Sequence, residues 1–597
     1  MGYVLFGAGV CGQEAIKFLG KENIECFLDN NPSCNDIEGI PVYRFDDAKN
    51  NYYGRQIVIS VKEKYFDVIK DQLLNNGFDY TSYEKLRFEI IREKLLNRPD
   101  YISIYKKTIN WIKNNSIFNQ GIRVTSDCLV SYPEVTGYYI PTLLRWGYRE
   151  LAISYANWLI SIQKEDGSWY DAYDKNPYIF DTAQILKGLI AIREIIPSVD
   201  RNIIRGCEWI LSCMTNEGRL VTPSKEAWGD DKNICDEVIH IYCISPIIEA
   251  GRVLNRPEFI EKANEIWGFY RKNYYDKIMN FSLLSHFYAY LMEALFDIGE
   301  IDMCEQAMNS ISKFQKESGA IPALNNVDWV CSTGVFQLAL VWFKLGKIEN
   351  GDKAFEYACK LQNESGGWFG SYLSENNLDE KNSYFPSREI SWACKYFLDA
   401  LYYKNFAEFN MDSDTFIDEI SKNDDRYKNV LEAVKSIGKG KAKVLDIGCG
   451  KGRYLKRIIE DLPLNNYYAV DISPYVMKYI NDERIECKQG TLTNIQFPDD
   501  YFDCVYTCEA LEHSIDIDSA IREMSRVTRA GGLIVVVDKN KKKLGQLDIG
   551  EWEQWFDINE LRSIMEKYCS EVKVNNDISY ENKKADGLFV AWIGTVK

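Results

Sequence analysis

Two glycine-rich turns and one histidine are where this 597-residue chain concentrates side chains and backbone able to do chemistry. Tyr3 to Phe6 reads as a strand that enters Gly7-Ala8-Gly9-Val10-Cys11-Gly12 and then a helical pattern through Leu19. This is G-x-G-x-x-G in a strand, turn, helix setting, where Gly7, Gly9 and Gly12 permit a tight turn and a phosphate can approach the helix N-terminus. A second strand, Glu25 to Leu28, ends at Asp29, whose carboxylate suits hydrogen bonds from a ribose. A purely structural glycine turn is the alternative. Far along the chain, Val444-Leu445-Asp446-Ile447-Gly448-Cys449-Gly450-Lys451-Gly452 repeats the same logic in a more specific form, and the next strand, Tyr467 to Val470, ends in Asp471-Ile472-Ser473-Pro474. His513 closes the run Cys508-Glu509-Ala510-Leu511-Glu512-His513. It is one of only 3 histidines, and an imidazole with an unperturbed pKa of about 6.5 suits proton removal near neutral pH. With so few histidines, a histidine-rich metal centre is not expected, and no metal ligands are assigned.

The elements that position these residues must belong to several domains, since the length predicts about three to five. Apolar residues at 46% and charged residues at 27% are ordinary for globular chains and argue against disorder. Acidic residues number 88 against 71 basic, a net charge of -17, which works against nucleic acid as the partner. The 17 cysteines are scattered without C-x-x-C pairs, pointing to a reducing, cytoplasmic setting. The first residues read as a strand and not as a secretion signal, and no window reaches the roughly 18 apolar residues of a membrane span. Membrane contact is expected to be peripheral at most.

Residues 1–98 alternate short β-rich runs with amphipathic helices, the texture of a small Rossmann-like α/β domain. Phe27-Leu28-Asp29-Asn30-Asn31-Pro32, followed by Ile37-Glu38-Gly39-Ile40-Pro41-Val42, resembles the nucleotide-sugar-binding domain of bacterial sugar O-acyltransferases of the PglD type. The resemblance implies a nucleotide or nucleotide-sugar ligand.

Residues 100–405 are helical, rich in tryptophan and tyrosine, and repeat a turn of the form Q-x-x-x-G at Gln163 to Gly167, Gln315 to Gly319 and Gln362 to Gly366, with a degenerate copy at Thr215 to Gly218. The following helices start near Glu134, Asp181, Asp236, His286, Ser332 and Glu389, a spacing of about 45 to 57 residues that suggests six helical pairs in a closed ring. The turns resemble those of terpene cyclases and related (α/α)6 toroids, and the ring resembles six-hairpin glycosidases and lyases. The D-x-D-D acid motif of squalene-type cyclases is missing, and Asp230-Asp231 lacks its spacing. Glu134, Asp181, Asp236, His286 and Glu389 would converge on a central cavity, where paired carboxylates suit acid and base work on a sugar. Helix capping accounts for the same acids, and ordinary packing accounts for the aromatics around them.

Residues 412–597 return to strand and helix, a second Rossmann-like α/β texture. V-L-D-I-G-C-G-x-G, the Asp471 strand tip, Lys488-Gln489-Gly490-Thr491-Leu492, Phe497-Pro498-Asp499-Asp500-Tyr501-Phe502-Asp503 and Cys508 to His513 resemble, in order, the motifs of class I S-adenosylmethionine-dependent methyltransferases of the type 11 group. The resemblance implies S-adenosylmethionine as cofactor. Gly448 and Gly450 would lie against its methionine part, Asp446 near its ammonium, Asp471 and Ile472 at the ribose, and Thr491 and Leu492 beside the adenine. Thr491 stands where the family usually has Asp. His513 is the candidate base and Glu509 a further catalytic or cofactor-contacting candidate; a loop-organising role for His513 is the alternative. Glu551-Trp552-Glu553-Gln554-Trp555-Phe556 resembles the family's acceptor-covering W-x-x-F region. Taken together, the readings give a methyltransferase acting on a small molecule, sugar or surface-polysaccharide intermediate. The ring would be either a second glycan-processing enzyme or a non-catalytic binding module.

Overall fold

The short apolar runs of the first hundred residues form parallel strands buried on both faces, which is why they read as continuous hydrophobic stretches. In Tyr3–Phe6, Val4 and Phe6 point to one side with Ile57, Ile59, Phe45 and Leu73, while Leu5 points to the other with Phe27, Val58, Ala15 and Ile16. The sheet order is Asp36–Ile37, Ile40–Arg44, Ile24–Asp29, Tyr3–Phe6, Ile57–Ile59, Tyr80–Ser82. The computed structural model describes residues 2–97, 99–223, 235–373, 384–411, 416–438, 440–547, 549–550 and 553–597. Asp230, Asp231, Glu551 and Trp552 lie outside them. Contacts divide the chain into two compact units: residues 1–98 with 540–555, and residues 99–539 with 556–597. The helical region and the C-terminal sheet, distinct in sequence texture, therefore share one unit.

Six helices of that unit pack in succession: Pro133–Arg145, Ile179–Ile192, the turn Glu237–Cys243 running into Ile244–Val253, Ser285–Asp297, Ser332–Lys344 and Ser391–Met411, the last returning to the first. They are apolar all round, as interior helices must be; Ser332–Lys344 is buried at every residue but its last. Their outer partners bury one stripe each. Ile348–Cys359 does so at Gly351, Ala354, Phe355, Ala358 and Cys359, the spacing of a single helix face.

The repeated turn has a mechanical explanation. Gly167, Gly218, Gly319 and Gly366 all have φ between 90° and 99°, and a Cβ on each would strike a carbonyl oxygen of an outer helix: Arg205 O at 2.3 Å, Glu265 O at 2.5 Å, Lys353 O at 1.9 Å and Lys107 O at 2.2 Å. The glutamine of the turn clips the same helix, Gln163 Nε2 donating to Asn202 O (3.0 Å) and Gln315 Nε2 to Asn350 O (2.9 Å). In the last copy Gln362 Nε2 donates to Ile104 O (3.0 Å), on helix Tyr101–Asn115, the first of the region. The last turn of the region thus meets its first helix.

The rest of this unit is a seven-stranded sheet ordered Ile485–Gln489, Asn466–Asp471, Lys443–Ile447, Phe502–Cys508, Thr528–Lys539, Phe589–Val596, Cys569–Asn575. The first five strands are parallel, and Phe589–Val596 runs antiparallel to both of its neighbours. Polar contacts fix the helices to it. Tyr105 and Tyr148 hydroxyls donate to Asp516 Oδ2 at 3.1 and 3.0 Å, Thr493 Oγ1 donates to Arg145 O at 2.6 Å, and Arg522 Nη2 to Gly147 O at 2.8 Å. Among the described residues no helix is long and apolar enough to cross a membrane.

Replacing Gly366 by Ala adds a Cβ where neither backbone nor space allows it, so thermal unfolding should show a loss of more than about 1 kcal/mol. Gly268→Ala, at a position where a Cβ meets nothing within 4 Å, should be neutral or stabilising; equal behaviour of the two variants would contradict the clip.

Candidate active site

The parallel strands Lys443–Ile447 and Phe502–Cys508 lie at the reversal of strand order, where ligands of open α/β sheets bind beyond the carboxyl ends. A cavity of about 120 Å³ opens there, lined by Gly448, Asp471, Ile472, Thr491, Leu492 and His513. A second, of about 330 Å³, shares Gly448, Glu509 and His513 with it and continues past Gly450 and Arg453. Gly448, Gly450 and Gly452 adopt φ of 70°, 52° and 75°. A Cβ on Gly448 would sit 2.3 Å from Ala510 Cβ, so side chains here would close the cradle.

Asp471 Oδ2 accepts from Gly450 N (2.8 Å) and Oδ1 from Ser473 N (2.9 Å), while burial raises its pKa. Each carboxylate oxygen has two lone pairs, so capacity for ligand hydroxyls remains. Asp446 is buried and accepts from the Tyr506 hydroxyl at 3.0 Å; burial pushes its carboxyl up to about 7. Thr491 Oγ1 faces Thr493 Oγ1 at 3.2 Å.

Glu509 has φ of 53°, a left-handed conformation that only surrounding structure can hold. Burial alone would raise its pKa, but Arg453 (2.6 Å) and Arg426 (3.0 Å) bind Oε1 and hold it below the usual value. It is thus an ionised, doubly paired carboxylate and ill suited to take a proton. His513 stands at the mouth. Its Nε2 lies 3.5 Å from Glu512 Oε1, its carbonyl accepts from Asn405 Nδ2 at 3.2 Å, and its ring meets Phe409 edge-on at 4.8 Å. Lys539 Nζ binds both oxygens of Glu512, at 2.5 and 2.7 Å.

The residues that sequence reasoning missed come from the helical ring. Arg145 and Trp146, at the end of one inner helix, and Tyr402, Asn405 and Phe409, on one face of Ser391–Met411, line the cavity against the sheet. Helical spacing at 402, 405 and 409 marks a common face, but nothing local says what that face meets.

The ring candidates separate. Glu134 and Asp181 are both buried; the Tyr132 hydroxyl donates to Asp181 at 3.2 Å. Burial raises both pKa values, Asp181 to about 7, and the proximity of Asp181 raises Glu134 further. His286 is buried between Gln337 and Tyr290, and burial lowers it to about 3, so it is neutral. Asp236 caps Glu237 N at 2.7 Å and pairs with Lys277. Glu389 accepts from Trp111 Nε1 (2.7 Å), Asn363 Nδ2 (2.8 Å) and Ser365. The last two acids are thus consumed by structural hydrogen bonds and an ion pair and do not join the Glu134–Asp181 pair. In the N-terminal sheet, Asp29 Oδ2 accepts from Ala8 N at 3.0 Å and bridges strand to glycine turn; Gly7 (φ 116°) and Gly12 are fixed by close backbone approach, whereas Gly9 has nothing within 4 Å of a Cβ.

Asp446 binds its proton up to about pH 7 in the folded chain against 3.8 for the free group. The folded state therefore holds more protons across that window, and this contribution to stability is lost as pH rises through it. Between about pH 5 and 8, Asp446→Asn should lose less in its thermal midpoint than the parent chain; identical declines would show an ionised Asp446 throughout.

Residues 445–536 match the family model described as "Methyltransferase domain". The chain is 27% identical over 157 residues to 2-methyl-6-phytyl-1,4-hydroquinone methyltransferase of Synechocystis sp., covering 26% of this chain and 48% of that protein. It is 32% identical over 124 residues to demethylmenaquinone methyltransferase of Mycolicibacterium paratuberculosis, covering 20% and 51%. The chain thus spans about half the length of these curated relatives. Among solved structures it is similar to phosphoethanolamine N-methyltransferase 2 of Haemonchus contortus in complex with S-adenosyl-L-methionine, with 18% identity, TM-score 0.22, and coverage of 25% of this chain and 38% of that one. The segment at 445–536, which forms the glycine cradle and the strands around it, is an S-adenosylmethionine-dependent methyltransferase domain.

Proposed function

We propose that the chain transfers a methyl group from S-adenosylmethionine to a hydroxyl of a sugar or surface-polysaccharide intermediate, with the helical ring, read as an (α/α)6 toroid, forming the acceptor-side wall. The carrying observation is that Tyr402, Asn405 and Phe409 of the ring line the same cavity as Asp471, Leu492 and His513. The cofactor would supply an electrophilic methyl on a sulfonium, so the protein must chiefly align the acceptor for in-line attack. Gly448 and Gly450 would cradle the methionine part, Asp471 and Ile472 the ribose, and Thr491 and Leu492 the adenine. Asp446 would stabilise the ammonium from beneath, its burial offset once a cation lies near. Glu509, already ionised between Arg426 and Arg453, would hold those guanidinium groups in place for the donor's carboxylate. His513 would take the acceptor's proton, and Glu512 beside Nε2 would stabilise the imidazolium. The aromatic residues of the wall suit sugar faces, and the net charge of -17 disfavours a nucleic-acid acceptor. The turn at Gly7 to Gly12, open at Gly9, would take a nucleotide or nucleotide-sugar.

A second reading rests on the Glu134–Asp181 pair. Among the described residues Gln184 Oε1 is buried without a hydrogen-bond partner, and the Trp392 and Tyr138 side chains face the Glu134 carboxyl. Two neighbouring buried acids with raised pKa values would suit a glycan-cleaving or epimerising site.

Four measurements test these readings. Labelled donor incubated with nucleotide-sugar, lipid-linked glycan and isoprenoid-quinone fractions should mark a sugar-bearing fraction; label in quinones alone would refute the acceptor. Asp471→Ala should weaken donor binding by calorimetry about 10- to 100-fold, and undiminished binding would remove Asp471 from the site. His513→Ala should cut turnover by about 10²- to 10⁴-fold with donor affinity intact; unchanged turnover would leave His513 structural. For the second reading, Asp181→Asn should abolish glycan turnover while sparing methyl transfer, and a parent chain inert to every glycan would dispose of it.

A further inference from the structure

A cavity of about 440 Å³ lies between the inner helices, its lining without Glu134 or Asp181 and unused by the methyl-transfer reading. Its walls carry Arg145, Lys187, Arg252, Lys344 and Lys395. Four of these cations are matched. Arg145 and Lys395 share Asp399 at 3.0 and 2.9 Å, Lys344 meets Asp297 at 2.9 Å and Glu293 at 3.6 Å, and Arg252 meets Glu249 at 3.4 Å.

Lys187 is different. Among the described residues it has no carboxylate in contact, and its ammonium lies 3.0 Å from the centroid of the Tyr242 ring. Several wall cations sit where inner helices end, at Arg145, Arg252 and Lys344, and there exposed carbonyls favour positive charge. Lys187 lies more than a turn before the end of Ile179–Ile192, beyond the reach of that effect. The Tyr242 face is itself fixed, its hydroxyl donating to Glu293 Oε2 at 2.9 Å. Glu293 is in turn committed: burial alone would raise it, but Lys344, Lys395 and Lys187 pull it down to about 2. A buried ammonium with no carboxylate in contact, facing a cavity of ligand size, is costly unless an anion joins it.

We propose that this cavity binds a small anion, a carboxylate or phosphate group, with Lys187 as its direct counter-ion and the Tyr242 ring as the platform beneath the lysine. Burial lowers Lys187 to about 8; a bound anion pulls it back up and so reinforces its own site. Arg145 lines this cavity and the donor cavity alike, so a ligand anchored on Lys187 lies across one side chain from the methyl-transfer site. The assignment stands without the methyl-transfer reading, since it concerns binding alone.

Calorimetric titration of the full chain with inorganic phosphate, with glucuronate and with neutral methyl glucoside tests it. At least one anion should bind saturably and the glucoside should not; tighter phosphate assigns a phosphoryl ligand, tighter glucuronate a uronate. Lys187→Met should weaken the anion at least about ten-fold, Lys187→Arg should retain it, and S-adenosylhomocysteine binding should be unchanged in both. Failure of both anions to bind the parent chain, or equal binding to Lys187→Met with the fold intact, would overturn the assignment.

Discussion

The clip between the turn Gln362 to Gly366 and helix Tyr101–Asn115 is the constraint on which the larger unit depends. It joins segments more than 250 positions apart through Gln362 Nε2 to Ile104 O and through Gly366 against Lys107 O. With it closed, Ser391–Met411 lies beside Pro133–Arg145, and these two helices supply the ring's side of the donor cavity. The same first helix carries Tyr105, whose hydroxyl reaches Asp516 on the sheet side. Ring closure, docking and cavity wall are one mechanical circuit.

Polar groups set that docking. Asp516 receives two tyrosine hydroxyls and also caps Ile517–Val527 through Ser519 N at 2.9 Å. A carboxylate with this many donors is satisfied away from water, which makes the interface specific as well as stable. Gly147, with φ of 79°, lets the chain turn tightly enough for Thr493 and Arg522 to reach the backbone around it.

Much of this was legible in local sequence. The cradle at Gly448 to Gly452 needs three left-handed residues, and glycine is the cheapest way to supply them. The Q-x-x-x-G turns were visible for the same reason. Pairings between distant segments were not. Asp236 looks like a cavity acid until Lys277 is seen beside it, and Glu389 until Trp111 is. Glu509 looks like a catalytic or cofactor-contacting group until two arginines, one from helix Asp425–Ser436 and one from helix Arg453–Asp461, converge on it. The cavity wall at Arg145, Tyr402 and Phe409 escaped notice because its residues are ordinary for a helical core and gain meaning only from what they face. Segment 540–555, read as part of the methyltransferase texture, clusters by contacts with residues 1–98.

The order in which the ring is threaded has a consequence for biogenesis. A ribosome emits residues 101–411 before the strands Lys443–Ile447 to Phe589–Val596 exist, so the helical circuit can shut on itself first. Its closing contact spans more than 250 positions, and contacts of such separation form slowly. The face carrying Tyr402, Asn405 and Phe409 then waits, half-dressed, for a sheet still being translated. Nascent chains stalled between residues 411 and 589 should therefore be the species most in need of a chaperone.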